Sequence, residues 1–363
     1  MLWTEDRIAR LCLGSFSGFG CRSLRKLWRS FPSPQKAWTG SSHALLQAGI
    51  PQKAVERFCE WRKDCKPQRL VDQLAQEQIS FVIPDDPEFP QTLRDSSDPP
   101  ENLFVRGNLV DAPSVAIVGT RHLTTYGKRC VDMLVPELTR AGLIIVSGMA
   151  LGIDGLVHEA TVNAGGITIA ILGTGIDEAS LYPREHVALA HRILEHHGAI
   201  ISEFPPGTGS RKEHFPMRNR LIASLTQATI VVEAARNSGS LITAKLALEE
   251  NREVLAVPGP IWSDTSVGTN HLIKLGAKVC TNARDVLEVL TFDRPELIAQ
   301  ARALMPLDPH EQQLLKLLTE PKHIDELGRL LAIDSPTVSS RLAVLELKGL
   351  VKSIGGQMWI KGN

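Results

Sequence analysis

Short apolar runs alternate with helix-length segments through the middle of the chain, from Val115 onward. Each run is rich in valine and isoleucine, which is typical of strands buried on both faces. Buried strands that alternate with helices form a mostly parallel sheet with helices on both sides. The pattern therefore predicts a Rossmann-like, doubly wound α/β domain. The predicted strands are Val115–Val118, Leu143–Val146, Ile167–Leu172, Ala199–Ile201, Thr229–Val232, Val254–Val257 and Lys278–Cys280.

The segment before this domain has a different pattern. Residues 1–75 carry apolar side chains at helical spacing, and glycine lies in the turns Ser17–Gly20 and Ala48–Pro51. Short helices around such turns resemble a helical SAM-like or helix-hairpin-helix module. The α/β domain then covers 76–295, and its first part, 76–112, is an N-terminal extension.

The C-terminal segment is predicted to be a third unit. Residues 296–309 contain prolines and form a linker, and 310–363 contain three helical patterns followed by a hairpin around Gly355–Gly356. Three helices followed by a hairpin are typical of a winged helix. Ser335 is the predicted N-cap of the third helix.

Glycine and serine follow several of the predicted strands. Ligands of open α/β sheets bind outside the carboxyl ends of the strands, where glycine lets a phosphate approach the backbone. We therefore expect a phosphate-binding crevice that includes Gly119, Ser147 and Gly148. Any one of these exits alone would be explained by a tight turn.

Several kinds of chemistry lack their motifs. The Walker A pattern is absent, and Gly119 begins no GxGxxG sequence, which argues against ATP hydrolysis and against a dinucleotide cofactor. No second histidine follows His158-Glu159 at helical spacing, and the six cysteines form no CxxC pair. The sequence therefore predicts no cofactor and no metal site.

An enzyme that cleaves the N-glycosidic bond of nucleotides is the alternative hypothesis. That chemistry needs a carboxylate near the phosphate loop. Four carboxylates lie close to strand exits, although a hydrogen bond at a helix start or in a loop is the favoured explanation for each of them. They are Asp154, Asp177, Glu203 and Glu233.

The charge distribution restricts where a nucleic acid could bind. Residues 1–75 contain 13 Lys/Arg and 6 Asp/Glu, whereas residues 76–309 contain 20 and 28. A site in the acidic middle section must therefore be a focused cluster. The densest cationic run there is RKEHFPMRNR. Its cations suit phosphates and its aromatic ring suits base stacking, as in single-strand sites, so we predict that Arg211–Arg220 binds single-stranded DNA through Lys212, Phe215, Arg218 and Arg220.

The order and spacing of these motifs resemble the DprA/Smf family of DNA-processing proteins, over roughly Pro90 to Thr281. The motifs are VAIVGTR, SGMALGIDGLVHEA, AILGTG with YPREH, ISEFPPG, HFPMRNR and VVEAARNSGSLITAKLALE, followed by VPGP. The resemblance implies a protein that performs no catalysis. Such a protein binds and protects single-stranded DNA during natural transformation and loads RecA recombinase onto it for recombination.

The resemblance also assigns residues. The family's arginine after the first-strand glycine matches Arg121, and its cation after the Tyr-Pro pair matches Arg184. The segment NSGSLIT, with Gly239 and Ser240, stands where the similar fold of nucleotide phosphoribohydrolases has its PGGxGT phosphate loop. Lys245 follows where those enzymes place an acid, which argues against the enzyme hypothesis.

Assembly and location can be predicted as well. HLIKLGAKV resembles the family's self-association segment, with Ile273 and Val279 at its apolar positions, so we expect a homodimer. The chain has no apolar run long enough for a membrane span, and Met1–Arg10 has no signal-peptide pattern. We therefore expect a soluble, cytoplasmic protein without a membrane partner.

Overall fold

A computed structural model of the protein describes residues 3–110, 112–293, 309–331, 333–347 and 350–362. Its centre is a nine-stranded sheet in the order β1-β2-β6-β5-β4-β3-β7-β8-β9, in which the strands from β3 to β9 are parallel. The strands are β1 (Ser80–Val82), β2 (Leu103–Gly107), β3 (Ser114–Val118), β4 (Ile144–Ser147), β5 (Thr168–Ile171), β6 (Ala199–Ser202), β7 (Ala228–Val231), β8 (Glu253–Ala256) and β9 (Lys278–Val279).

Helices cover both faces of this sheet, so the predicted doubly wound α/β class is confirmed. Alternate residues of one strand enter different cores: Ala116 of β3 packs on one face and Ile117 on the other. The helices of this region are α7 (Gln91–Arg94), α8 (Thr125–Arg140), α9 (Ile153–Asn163), α10 (Val187–Glu195), α11 (His214–Leu225), α12 (Gly239–Glu249), α13 (Val267–Lys274) and α14 (Ala283–Asp293).

The strand order reverses beside β3, which pairs with β4 on one side and with β7 on the other. At such a switch point the connecting loops diverge and leave a crevice at the carboxyl ends of the strands. Arg121 and Glu233 follow β3 and β7 at this point. The loops after β3 and β7 therefore lie on either side of this switch point.

Strands β1 and β2 were not predicted from the sequence. Both are antiparallel: β2 pairs with β6 and β1 pairs with β2, so the extension 76–112 enlarges the sheet. Both are short, and the Pro- and Asp-rich stretch Pro84–Pro100 separates them. That composition predicts a linker, whereas the short strands on either side of it depend on pairing with other strands, β2 with β6 and β1 with β2.

Short helices form the N-terminal region, as predicted. The helices are α1 (Glu5–Ser15), α2 (Cys21–Ser30), α3 (Pro34–Trp38), α4 (Ser42–Gln47), α5 (Gln52–Asp64) and α6 (Pro67–Gln76). Their own core is aromatic, with Phe16, Phe19 and Phe58 in mutual contact. Leu11 and Leu74 instead pack with side chains of the sheet region, so this region is joined to the α/β domain by apolar contacts.

The C-terminal region has the predicted winged-helix arrangement. The helices α15 (Pro309–Leu317), α16 (Ile324–Leu331) and α17 (Ser335–Leu347) pack with a small sheet of β10 (Lys322–His323), β11 (Val351–Gly355) and β12 (Met358–Lys361). The predicted N-cap was wrong: the Asp334 carboxylate accepts the Thr337 N–H, whereas the Ser335 hydroxyl donates to Asp325. The predicted linker 296–309 lies outside the described residues except for Pro309. No helix in the described ranges is long and apolar enough to cross a membrane.

Candidate nucleic-acid interface

An arginine and two aromatic rings from three separate segments meet at the carboxyl edge of the sheet. The Arg121 guanidinium lies over the ring of Phe215, with Cζ 5.3 Å from the ring centroid. The centroids of the Tyr182 and Phe215 rings lie 6.0 Å apart, and Tyr182 is 44% exposed. Cations beside accessible aromatic faces can hold phosphates and stacked bases together.

The backbone of the first turn of α11 brings Phe215 into this position. A Cβ on Gly173, at the exit of β5, would lie 3.1 Å from Phe215 Cδ1. Glycine at this exit therefore lets the ring approach the strand end closely. The sequence analysis predicted Arg121 and Phe215 as site residues but did not predict Tyr182. The only signal for Tyr182 was its position in YPREH, two residues before Arg184.

Two further predicted phosphate contacts are exposed near these aromatic residues. Arg184 follows Tyr182 by two positions, and one of its guanidinium nitrogens donates to the backbone carbonyl of Glu178 at 2.9 Å. Lys212 precedes α11 and is exposed. Both cations are exposed, and each lies two or three positions along the chain from an aromatic residue of the site.

Arg218 does not face solvent, although it belongs to the predicted cluster. Its side chain is 3% exposed, and Nη1 donates to the Gly148 carbonyl at 2.7 Å. Asp154 lies close to it, since a Cβ on Gly148 would be 2.7 Å from both Arg218 Nη2 and Asp154 Oδ2. Burial lowers the pKa of Arg218 to about 10 and raises that of Asp154. The structure therefore places Arg218 as a structural cation under the crevice and not at its surface.

Asp154 organises the two neighbouring strand exits. Its carboxylate accepts hydrogen bonds from the backbone N–H groups of Gly119, Gly148 and Ala150. Ser147 is fully buried, and its hydroxyl donates to the Ile117 carbonyl at 2.6 Å. Ser147 and Gly148 thus form the buried floor of the crevice, which corrects the prediction that they contact a phosphate directly.

Arg220 is likewise held in a network of its own. It lies 2.5 Å from the Glu203 carboxylate and 3.4 Å from that of Asp98. The Cys21 thiol also donates to Glu203 at 2.8 Å. This network links the N-terminal helices to the α/β domain, so Arg220 also has a structural explanation.

The two remaining predicted residues lie at the start of α12. Gly239 is exposed, and its carbonyl accepts from Asn219 Nδ2 of α11 at 3.3 Å. Ser240 is buried and its backbone N–H donates to the Ser238 hydroxyl. Of this pair, only Gly239 offers its backbone to a ligand.

The carboxylates that the enzyme hypothesis needs are engaged elsewhere. Asp177 accepts from the Gly207 N–H at 2.8 Å and from the Ser180 hydroxyl at 2.9 Å. Glu233 accepts from Thr124 and Thr265, each at 2.7 Å. Asp154 and Glu203 hold the buried arrangements described above. Among the described residues there is also no group of side chains that could hold a metal ion.

The two predicted dimer residues differ in their surroundings. Ile273 is half-buried against the sheet core, whereas Val279 on β9 is 45% exposed. Leu275, between them, was not predicted and is 71% exposed. In the described part of the chain β9 pairs only with β8, so its outer edge is open.

Comparison with known proteins shows the family of the chain. Residues 80–291 match the model of the DNA recombination-mediator protein A family. The chain belongs to this family. Residues 299–357 also match the DprA winged helix domain, which agrees with the fold of the C-terminal region.

Relatives in the DprA family are similar along most of the chain. Protein Smf of Escherichia coli is 35% identical over 322 residues, which cover 86% of this chain and 85% of that protein. The DNA processing protein DprA of Bacillus subtilis is 41% identical over 273 residues, covering 74% and 89%.

Solved DprA structures share the fold. DprA from Streptococcus pneumoniae is 33% identical, and the match covers 79% of this chain and 98% of that one, with a TM-score of 0.64. DprA from Helicobacter pylori, studied for its binding of single-stranded DNA, is 32% identical and covers 60% and 97%, with a TM-score of 0.53.

Proposed function

We propose that this DprA family member binds single-stranded DNA at the crevice surface formed by Arg121, Tyr182, Arg184, Lys212 and Phe215. The observation that carries the proposal is the Arg121 guanidinium over the Phe215 ring, beside the exposed Tyr182. Cations would hold the phosphates and the rings would stack on bases, which is a sequence-tolerant mode of binding. The crevice surface belongs to the domain that we assign to residues 76–295, with a helical module at 1–75, a linker at 296–309 and a winged helix at 310–363.

The biological role that we propose follows from the relatives. The family is named for recombination mediation, and the Helicobacter pylori relative binds single-stranded DNA. We propose that the chain protects single strands during natural transformation and recombination, loads RecA recombinase onto them without hydrolysing nucleotides, and does so in the cytoplasm.

Catalysis is not part of this proposal. A nucleotide glycosidase would need a carboxylate free to act beside the phosphates, but the four candidates are engaged in hydrogen bonds or ion pairs. Incubation with nucleoside monophosphates, followed by chromatography for released bases, tests this point. Release of base by the wild type, lost on substitution of Glu233, would support the enzyme instead.

Binding of a labelled homopolymer strand and of the matching duplex, measured over a salt series, tests the proposed function. We expect the single strand to bind more tightly. Substituting Arg121, Arg184 or Lys212 with glutamine should reduce the dependence of log K on log salt by about 0.7 for each lost phosphate contact on a single strand. Arg140→Gln, in the last turn of α8, is the control. Unchanged slopes in all three variants would place the DNA elsewhere.

We also propose a two-fold homodimer through the edge of β9. An open strand edge with exposed apolar side chains is a template for pairing with another chain, and Val279 and Leu275 supply such side chains. A dimer would place two crevice surfaces on one assembly and increase the avidity for long strands.

Val279→Glu should give monomers, because it places a charge at the centre of the proposed interface while disturbing little of the fold. We expect weaker binding to long strands and unchanged binding to short ones, with mass measured by light scattering. Ile273→Glu is the less specific variant, since Ile273 also packs on its own core. A wild type that stays monomeric at high concentration would contradict the dimer.

A further inference from the structure

A cavity of about 430 Å³ lies between the N-terminal helices and the α/β domain. A cavity of this size is within the range of small-molecule sites. Its walls come from the turn between α1 and α2, from α5, from the loop after β6 and from the start of α11. The aromatic side chains that line it are Phe16, Phe19, Trp61, Phe204 and His214.

One polar group in this cavity lacks a partner. Asn102, which precedes β2, is 5% exposed and lines the cavity, and its Nδ2 has no hydrogen-bond partner among the described residues. A buried amide left unpaired destabilises a protein, so such groups are uncommon without a function. Nδ2 itself has almost no accessible surface, so the Asn102 amide would have to turn toward the cavity to donate to an acceptor atom on a ligand.

The cavity adjoins the crevice surface through two consecutive residues of α11. Phe215 contacts Arg121 in the crevice surface, whereas His214 lines the cavity and stacks on Phe204 at 4.0 Å between ring centroids, with an interplanar angle of 18°. Arg211 also lines the cavity and is exposed. The two places thus share the first turn of α11, and the exposed Arg211 lies just before that turn.

We propose that this cavity receives a nucleobase of the single strand bound at the crevice surface, with Asn102 donating to a carbonyl oxygen or ring nitrogen of the base. The inference rests on the proposed function. Aromatic walls suit the faces of a base, an amide suits its edge, and Arg211 suits the adjoining phosphate. The N-terminal helices then contribute directly to DNA binding through Phe16, Phe19 and Trp61.

Photocross-linking of the full chain to thymidine homopolymers that carry 5-iodouracil at single positions tests where the bases lie. We expect some positions to cross-link to the peptides of Trp61 or Phe204 and neighbouring positions to that of Tyr182. Cross-links confined to the Tyr182 and Phe215 peptides at every position would overturn the inference while leaving the proposed function intact. Absence of binding by the wild type would instead refute the proposed function.

Asn102→Leu tests the polar contact. We expect roughly three- to tenfold weaker binding of the single strand, as for a lost hydrogen bond, together with an unchanged or raised Tm, because an unpaired buried amide is removed. Thr229→Val is the matched control, since the Thr229 hydroxyl is also buried without a partner among the described residues but lies in β7. This control should bind like the wild type.

Two results would overturn the assignment to Asn102. One is an Asn102→Leu variant with native Tm and wild-type affinity. The other is protection of the Trp61 peptide from cross-linking by thymidine monophosphate, when the homopolymer does not compete with the monophosphate for binding. That result would identify a site for free nucleotides. If Asn102→Leu does not fold, the cross-linking of the wild-type chain decides the question.

Discussion

Phe215→Ala should weaken binding of single-stranded DNA by roughly 1–3 kcal/mol, or about 5- to 150-fold, without unfolding the chain. The expected loss is that of one aromatic–base stacking contact. Arg121 lies over the same ring, so its guanidinium also loses the surface that orients it. The charge of the site does not change, and the salt dependence of binding should therefore stay as in the wild type.

Fluorescence anisotropy with a labelled homopolymer measures this effect, and Phe215→Trp is the matched control because it keeps a stacking face. The control should bind within a few-fold of the wild type. Phe215 is half-buried, so the structure allows a second explanation in which the ring only packs. A Phe215→Ala variant that melts early yet binds normally at low temperature would support that explanation and remove Phe215 from the crevice surface.

The architecture of the α/β domain could be predicted because its signal is local. All seven predicted strands occur, shifted by a residue or two at their ends. Strands buried on both faces need continuous apolar runs, and such runs are visible in a single sequence. Strands β1 and β2 gave no such signal, because their pairing with β6 involves residues about a hundred positions away in the chain and depends on the completed sheet.

The site could be predicted only in part, because the identity of a charged residue does not show whether its side chain is buried or exposed. Arg121, Arg184 and Lys212 are exposed as expected. Arg218 and Arg220 belong to the same RNR motif, but both turn inward toward carboxylates that come from distant segments. The meeting of Tyr182 with Phe215 and the unpaired amide of Asn102 likewise depend on contacts between distant segments, which neither spacing nor composition encodes.

Arg218→Met should lower the free energy of unfolding by about 3–5 kcal/mol, the typical effect of removing one member of a buried ionic arrangement. The guanidinium is 3% exposed, donates to Gly148 and faces Asp154. Methionine fills a similar volume but leaves the Asp154 carboxylate buried without its cation. Because Asp154 accepts from Gly119 and Gly148, the loops after β3 and β4 should loosen as well.

Denaturant unfolding measures this change, and Arg211→Met is the matched control, an exposed arginine in the same basic segment. The control should stay within about 0.5 kcal/mol of the wild type, as surface substitutions usually do. Adding Asp154→Asn to Arg218→Met should recover part of the loss, since the amide keeps the volume of the carboxylate and brings no buried charge. A stable Arg218→Met variant with a reduced salt slope for single-strand binding would instead assign Arg218 to a phosphate, as its sequence motif suggests. The two measurements together therefore separate a cation that builds the crevice from one that contacts the DNA.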